Sequence, residues 1–260
     1  MALDIIADPL FYAVAVPAIL IVGISKGGVA GGLGSVSVPM IAMVISPIQA
    51  AAIMLPILCL MDLFGLYAYR GVWDRRNLML MLPGALVGIG LGTLTFRYLS
   101  DDGVRLIVGV VALGFVIWNW LGPKLMRRAA DHRTKPGPAG LFWAGISGFT
   151  SFVAHAGGPP VHVYLLPQRM DKTLYVGTLV VFFTAVNYTK LVPYGFLGQL
   201  SANNLGTALV LSPLAPLGIW LGVRFHKMLS ESLFYALCYV FLSLTGVKLV
   251  WDGLHGIMGG

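Results

Sequence analysis

The sequence predicts an all-α polytopic membrane protein made of two inverted-topology repeats, each a broken or re-entrant helical hairpin followed by three transmembrane helices. Of the 260 residues, 58% are hydrophobic and only 10% are charged, with a mean hydropathy of +0.86. A soluble domain carries roughly 25% charged residues, so most of this surface cannot face water. Uninterrupted apolar stretches fall near 47–69, 77–96, 103–122, 173–195, 205–223 and 232–251, and about 20 such residues cross a hydrocarbon core of about 30 Å. Two further apolar regions, 9–46 and 138–168, are broken by glycine and proline. The alternating segments of about ten residues that mark a transmembrane β-barrel are absent.

The first element is the broken region 9–46. Residues 9–24 are apolar, 25-SKGGVAGGLGSVSVP-39 interrupts them, and 36–46 is apolar again. Neither half reaches the length of a comfortable span. Spans follow over 47–69, 77–96 and 103–122. The only long polar stretch, 122-GPKLMRRAADHRTKPG-137, holds five Lys/Arg against one acid and is therefore placed in the cytoplasm. Counting back from it puts 97–102 outside, 70–76 inside and residue 46 outside. The N-terminus has no Lys or Arg before Lys26, so it prefers the outside too. It does not read as a cleaved signal peptide. The region 9–46 is then expected to enter and leave by one face. By the same counting from 224-RFHKMLS-230, the second broken region also starts and ends on one face, the cytoplasmic one. In that region 138–154 is followed by 154-AHAGGPP-160 and a brief run to about Leu166. Two short, tilted, full-length helices are the alternative in each case.

A repeat is visible directly. The stretches 83-PGALVGIGLG-92 and 213-PLAPLGIWLG-222 share P-x4-G-I-x-L-G, and at the same offset Leu99-Ser100-Asp101 matches Leu229-Ser230-Glu231. The expected division is 1–122 for the first repeat, 123–137 for a basic cytoplasmic linker, and 138–260 for the second repeat. Repeats with discontinuous helices near the midplane are a common construction of secondary transporters. Gly88-x3-Gly92 and Gly218-x3-Gly222 allow close helix approach, within one chain or between two chains of a homodimer.

Non-helical backbone at membrane depth is tolerated only where protein or a wet cavity surrounds it, and a half-helix starting there aims N–H groups into the cavity. The expected anion contacts in the first break are Lys26, Gly31, Gly32, Gly34, Ser35 and Ser37. A lysine near the bilayer centre costs roughly 2.5–3.5 kcal/mol, so it needs a partner or a ligand; the alternative is that it snorkels to the interface. In the second break the candidates are His155, Gly157 and Gly158, with His162 weaker. Asn187 and Lys190 follow on the next span, at places comparable to Asp62 in the first half. Asp62 is the proton-coupling candidate, or an ion-pair partner of Lys26 or Lys190. Lys190 is near enough to its helix end to snorkel instead.

Other chemistry is poorly served. The net charge of +7 lies in the gaps between apolar runs, which is a topology signal and no reason to expect a nucleic-acid partner. SKGG lacks the G-x4-G-K-[ST] frame of a phosphate loop, and the histidines lack metal-ligand spacing. Cys59 and Cys238 lie in separate apolar segments and read as small buried hydrophobes. Ser151 with His155 is the nearest thing to a nucleophile–base pair. No enzyme, cofactor or metal site is expected; the partners are a small anion and the bilayer.

The glycine-rich 27-GGVAGGLGSVSVP-39 after a short first helix, its counterpart 148-GFTSFVAHAGGPP-160, and 69-YRGVWDRRNL-78 followed by PGALVGIGLG together resemble the sulfite exporter TauE/SafE family over about 10–255. The resemblance implies a gradient-driven transporter of small sulfur-containing or organic anions, such as sulfite, sulfoacetate or related sulfonates, in a bacterial inner membrane. AHAGGPP stands where many relatives carry a third glycine, so His155 bears on specificity. The expected mechanism is alternating access around a site between the two breaks. An anion channel using the same residues is the competing class, and a membrane assembly or regulatory protein is a third.

Overall fold

The structure is a computed structural model that describes residues 5–27, 33–96, 98–129, 136–225 and 231–259. Every described element is helical. Helix α1 (Pro9–Gly27) leads to a 3-10 turn (Leu33–Val36) and the short α2 (Ser37–Ile41), and then α3 (Pro47–Ala68), α4 (Arg75–Phe96) and α5 (Asp101–Ala129). The second half runs α6 (Ala139–Ala154), α7 (Gly158–Leu165), α8 (Lys172–Phe196), α9 (Ala202–Leu211), α10 (Leu214–Phe225) and α11 (Glu231–Gly259). Among the described residues, four helices, α1, α3, α4 and α8, are long and apolar enough to cross a membrane, or five spans if the bent pair α9–α10 counts as one.

Local chemistry accounts for several boundaries. Pro47 opens α3, where the backbone N–H that proline lacks would have had no partner within the helix. Asp171 accepts from Thr173 N at 2.9 Å and Leu174 N at 3.3 Å at the start of α8. Asp74 accepts from Asn77 N at 2.7 Å ahead of α4. Asp101 and Asp102 lie in the first turn of α5, where negative charge meets the helix dipole.

Several elements differ from the sequence expectation. Helix α1 does not stop at residue 24 but continues to Gly27, so its 19 residues span about 28 Å at 1.5 Å per residue. Close packing lets it continue: a Cβ on Gly23 would come within 2.7 Å of Gly218 Cα, and one on Gly27 within 2.5 Å of the Ile219 oxygen. The expected single span 205–223 is two helices, bent by 43°. Pro213 and Pro216 lie together at the bend, where each removes a ladder N–H and crowds the preceding turn. Helix α5 extends to Ala129, so the first part of the basic stretch 123–137 is helical; residues 130–135 lie outside the described residues.

The helices pack in pairs: α4 along α6, α5 along α11, α1 against α10, and α3 against α8. The two glycine pairs serve these contacts within the chain. A Cβ on Gly88 would fall 2.0 Å from the Gly145 oxygen of α6, and one on Gly222 2.5 Å from the Ile24 oxygen of α1. The core runs through α1, α3 and α8, with Phe11, Ile53, Met54, Leu55 and Phe182 fully buried. Large apolar side chains such as Leu86, Val87, Leu94 and Trp220 point outward, as a lipid-facing surface requires.

Candidate functional site

Helices α3 and α8 cross antiparallel. The Tyr188 hydroxyl meets the Cys59 carbonyl, Asp62 meets Asn187, and Gly65 meets Val180. Asp62 and Asn187 stand equally far from the first residues of their helices, Pro47 and Lys172. Beside this crossing lies a cavity onto which both breaks open. Its polar lining includes Ser25, Lys26, Ser35, Asp62, Ser151 and Asn187; Leu58, Met61, Leu179, Val180 and Phe183 make an apolar wall. His155, Gly158 and His162 also reach it.

Lys26 lies in the last turn of α1, where its charge favours the helix dipole. Its ammonium forms a salt bridge with Asp62 Oδ1. The second Asp62 oxygen accepts from Asn187 Nδ2 at 2.7 Å. Asp62 is 2% exposed and Lys26 20%, so the carboxylate forms the wall and the cation is the more open member. Lys26 therefore pairs at depth with a carboxylate.

Lys190 takes a different route. It is 0% exposed, so it does not snorkel. Its Nζ lies 3.0 Å from the Ser151 carbonyl, 3.0 Å from Ser151 Oγ and 2.6 Å from His155 Nδ1. His155 Nε2 lies 2.9 Å from the Ala51 carbonyl, which can only accept. The proton of a neutral His155 is therefore on Nε2, Nδ1 is bare, and Lys190 donates to it. Both ring nitrogens are thus occupied by protein groups, and His155 meets the cavity through the remainder of its ring. Lys190 stands behind Ser151 and His155 and holds them in place.

His155 also ends α6. It adopts the left-handed conformation at φ 51°, with its N–H on the Ser151 oxygen and Ala156 N–H on the Thr150 oxygen. The left-handed residue with its N–H on the carbonyl four residues back is an αL stop, in the position glycine usually takes. Gly157 serves packing: a Cβ there would lie 2.7 Å from Ser147 Oγ and 2.9 Å from Ser151 Cβ. Ser147 Oγ also donates to the Gly157 carbonyl at 2.7 Å. Gly158 opens α7 and lines the cavity. Pro159 and Pro160 follow it in the first turn, so two N–H groups that a half-helix would ordinarily aim outward are absent.

In the first break, Gly31 and Gly32 lie outside the described residues, and Gly34 falls in the 3-10 turn. Ser35 and Ser37 are both buried, and the hydroxyl of each has no hydrogen-bond partner among the described residues. Ser35 lines the cavity. Ser37 is not among the residues that line it. A buried hydroxyl without a partner costs about 1–3 kcal/mol, a cost that a ligand at Ser35 would relieve.

The sequence reading did not single out Ser25, nor Tyr175, whose hydroxyl hydrogen-bonds His162 Nδ1. A serine in an apolar helix carries no distinctive signal, and Tyr175 becomes relevant only once α7 is folded against α8. Cys59 is a buried free thiol, and Cys238 lies on α11.

Apolar helices closed around a buried, charged cavity define a polytopic membrane protein with an internal polar site. The sequence model of the family described as Sulfite exporter TauE/SafE matches residues 15–249, and the chain belongs to that family. It is accordingly a transporter and not an enzyme, a multi-pass protein of the bacterial inner membrane. No curated protein and no solved structure matches it.

Proposed function

We propose that the chain is a secondary carrier of small sulfur-containing or organic anions such as sulfite and sulfonates, working by alternating access and driven by an ion gradient. The observation that carries this reading is the cavity between the two breaks. In the cavity wall Lys26 pairs with the carboxylate of Asp62, and Ser35 offers a hydroxyl without a partner among the described residues. In this reading Lys26, Ser35, Ser151 and Asn187 supply donors to the oxyanion, and Lys190 and His155 position Ser151. The apolar wall of Leu58, Met61 and Phe183 suits the carbon end of a sulfonate.

The two-repeat architecture belongs to the same proposal, with halves 1–122 and 138–260 joined by 123–137. The packing pairs support it: exchanging the halves exchanges α4–α6 with α10–α1 and returns α3–α8 and α5–α11 to themselves. Alternating access in inverted repeats arises from rocking one bundle against the other around a fixed site.

Uptake of sulfur-labelled sulfite and sulfoacetate into proteoliposomes tests the reading. Saturable uptake in the wild type, and its loss in Lys26→Ala, is the expected result; transport that the variant leaves unchanged removes Lys26 from the site. The serines give a sharper comparison. Ser35→Ala and Ser37→Ala each delete an orphaned buried hydroxyl and are expected to raise stability by about 1 kcal/mol, read as unfolding temperature in detergent. Only Ser35→Ala is expected to weaken sulfite uptake, because only Ser35 lines the cavity.

A further inference from the structure

Lys26 is the more open cation of the site, and it is already occupied. Asp62 holds its ammonium through Oδ1 and the Asn187 amide through Oδ2. All three residues line the cavity, so an incoming anion needs the very donors that Asp62 occupies. Two negative groups close together on one ammonium repel strongly where water is scarce, and a buried carboxylate stripped of its partner is costly.

The other titratable groups around Asp62 offer it no second cation. Lys190, on α8, is committed to Ser151 and His155. His155, at the end of α6, has both nitrogens engaged. His162, on α7, is held by Tyr175. Cys59 lies one turn earlier on α3, and Tyr188 on α8 meets the Cys59 carbonyl; neither carries positive charge. What remains is to neutralise Asp62 itself.

The geometry points to Asp62 as a tethered counter-anion, which the transported anion displaces from Lys26 while one proton from the aqueous phase adds to the Asp62 carboxylate. This rests on the carrier reading above and gives it a coupling rule. One O–H bond forms on Asp62, and Lys26 exchanges one anionic partner for another. The summed charge of Lys26, Asp62 and a bound monoanion is zero, as it was for the pair alone. The neutral carboxyl keeps an oxygen for the Asn187 amide. Anion and proton then cross together, the empty carrier returns with the Lys26–Asp62 pair closed, and net direction follows the combined anion and proton gradients.

The test compares wild type with Asp62→Asn in proteoliposomes, using sulfur-labelled sulfite and methanesulfonate. The second has no proton of its own to release near neutral pH, so external pH reports the coupling. The wild type is expected to exchange the anions without a gradient and to accumulate them under an inward proton gradient. It should take up about one proton per methanesulfonate, and its affinity should weaken as pH rises. Asp62→Asn is expected to keep exchange, to half-saturate at about tenfold lower concentration because Lys26 is free, to lose the pH dependence, and to lose gradient-driven accumulation. Undiminished proton-driven accumulation in the variant overturns the inference and leaves the carrier reading standing. A wild type that exchanges neither anion overturns both. Should the variant fail to fold, the wild-type count decides alone: about one proton per methanesulfonate supports the inference, and none overturns it.

Discussion

Lys26→Ala is expected to abolish sulfite uptake and to destabilise the protein by about 3–5 kcal/mol, the cost of breaking a buried ion pair by removing one partner. The second effect has a specific origin. Asp62 is 2% exposed, and without Lys26 its carboxylate keeps only the Asn187 amide as a partner among the described residues. Adding Asp62→Asn to Lys26→Ala removes the stranded charge, so the double variant should recover much of the lost unfolding temperature. It should not recover uptake, because the cation that would meet the anion is still missing. Stability and transport therefore separate in the double variant, which a purely structural role for Lys26 does not predict.

Gly88→Val is the second large effect. Helix α4 runs so close to α6 that a Cβ at Gly88 would lie 2.0 Å from the Gly145 oxygen and 2.8 Å from Phe149 N. Both atoms are backbone, so no rotamer change makes room, and α6 must move bodily. Overpacking of this kind costs about 3 kcal/mol, and here it also shifts the helix that ends in His155 and carries Ser151. The expected result is a sharp loss of folded protein in detergent and little transport from what remains. Gly90→Ala, on the same helix with nothing within 4 Å of its would-be Cβ, should behave like wild type. Gly222→Val should resemble Gly88→Val, because its Cβ would lie 2.5 Å from the Ile24 oxygen of α1.

The membrane class, the breaks and most helices could be read directly from the sequence, because the hydrocarbon core imposes both an apolar composition and a minimum length. The convergence of Lys26, Asp62 and Asn187 was partly legible for a related reason: polar groups in apolar spans need partners. Three things were not. Whether α1 ends at residue 24 or 27 depends on Gly23 and Gly27 docking against Gly218 and Gly222, a tertiary contact with no local trace. The bend after Leu211 was hidden because Pro83 sits within an unbroken α4 while Pro213, in the matching motif, lies at a break. What distinguishes them is the second proline, Pro216. The allocation of the two lysines was likewise invisible. Each is a lone cation in an apolar helix, and only the folded chain gives Asp62 to Lys26 and gives Ser151 and His155 to Lys190.

In the proposed carrier the transported anion is held in the cavity between the two breaks, against Lys26. Selenite, the heavier analogue of sulfite, tests this most directly, because anomalous diffraction from selenium in crystals of the protein locates the anion without assumption. A single strong peak in the cavity, within hydrogen-bonding reach of Lys26 and Ser35, is the predicted result. A cavity empty of selenium, with the peak bound elsewhere on the chain, would contradict it.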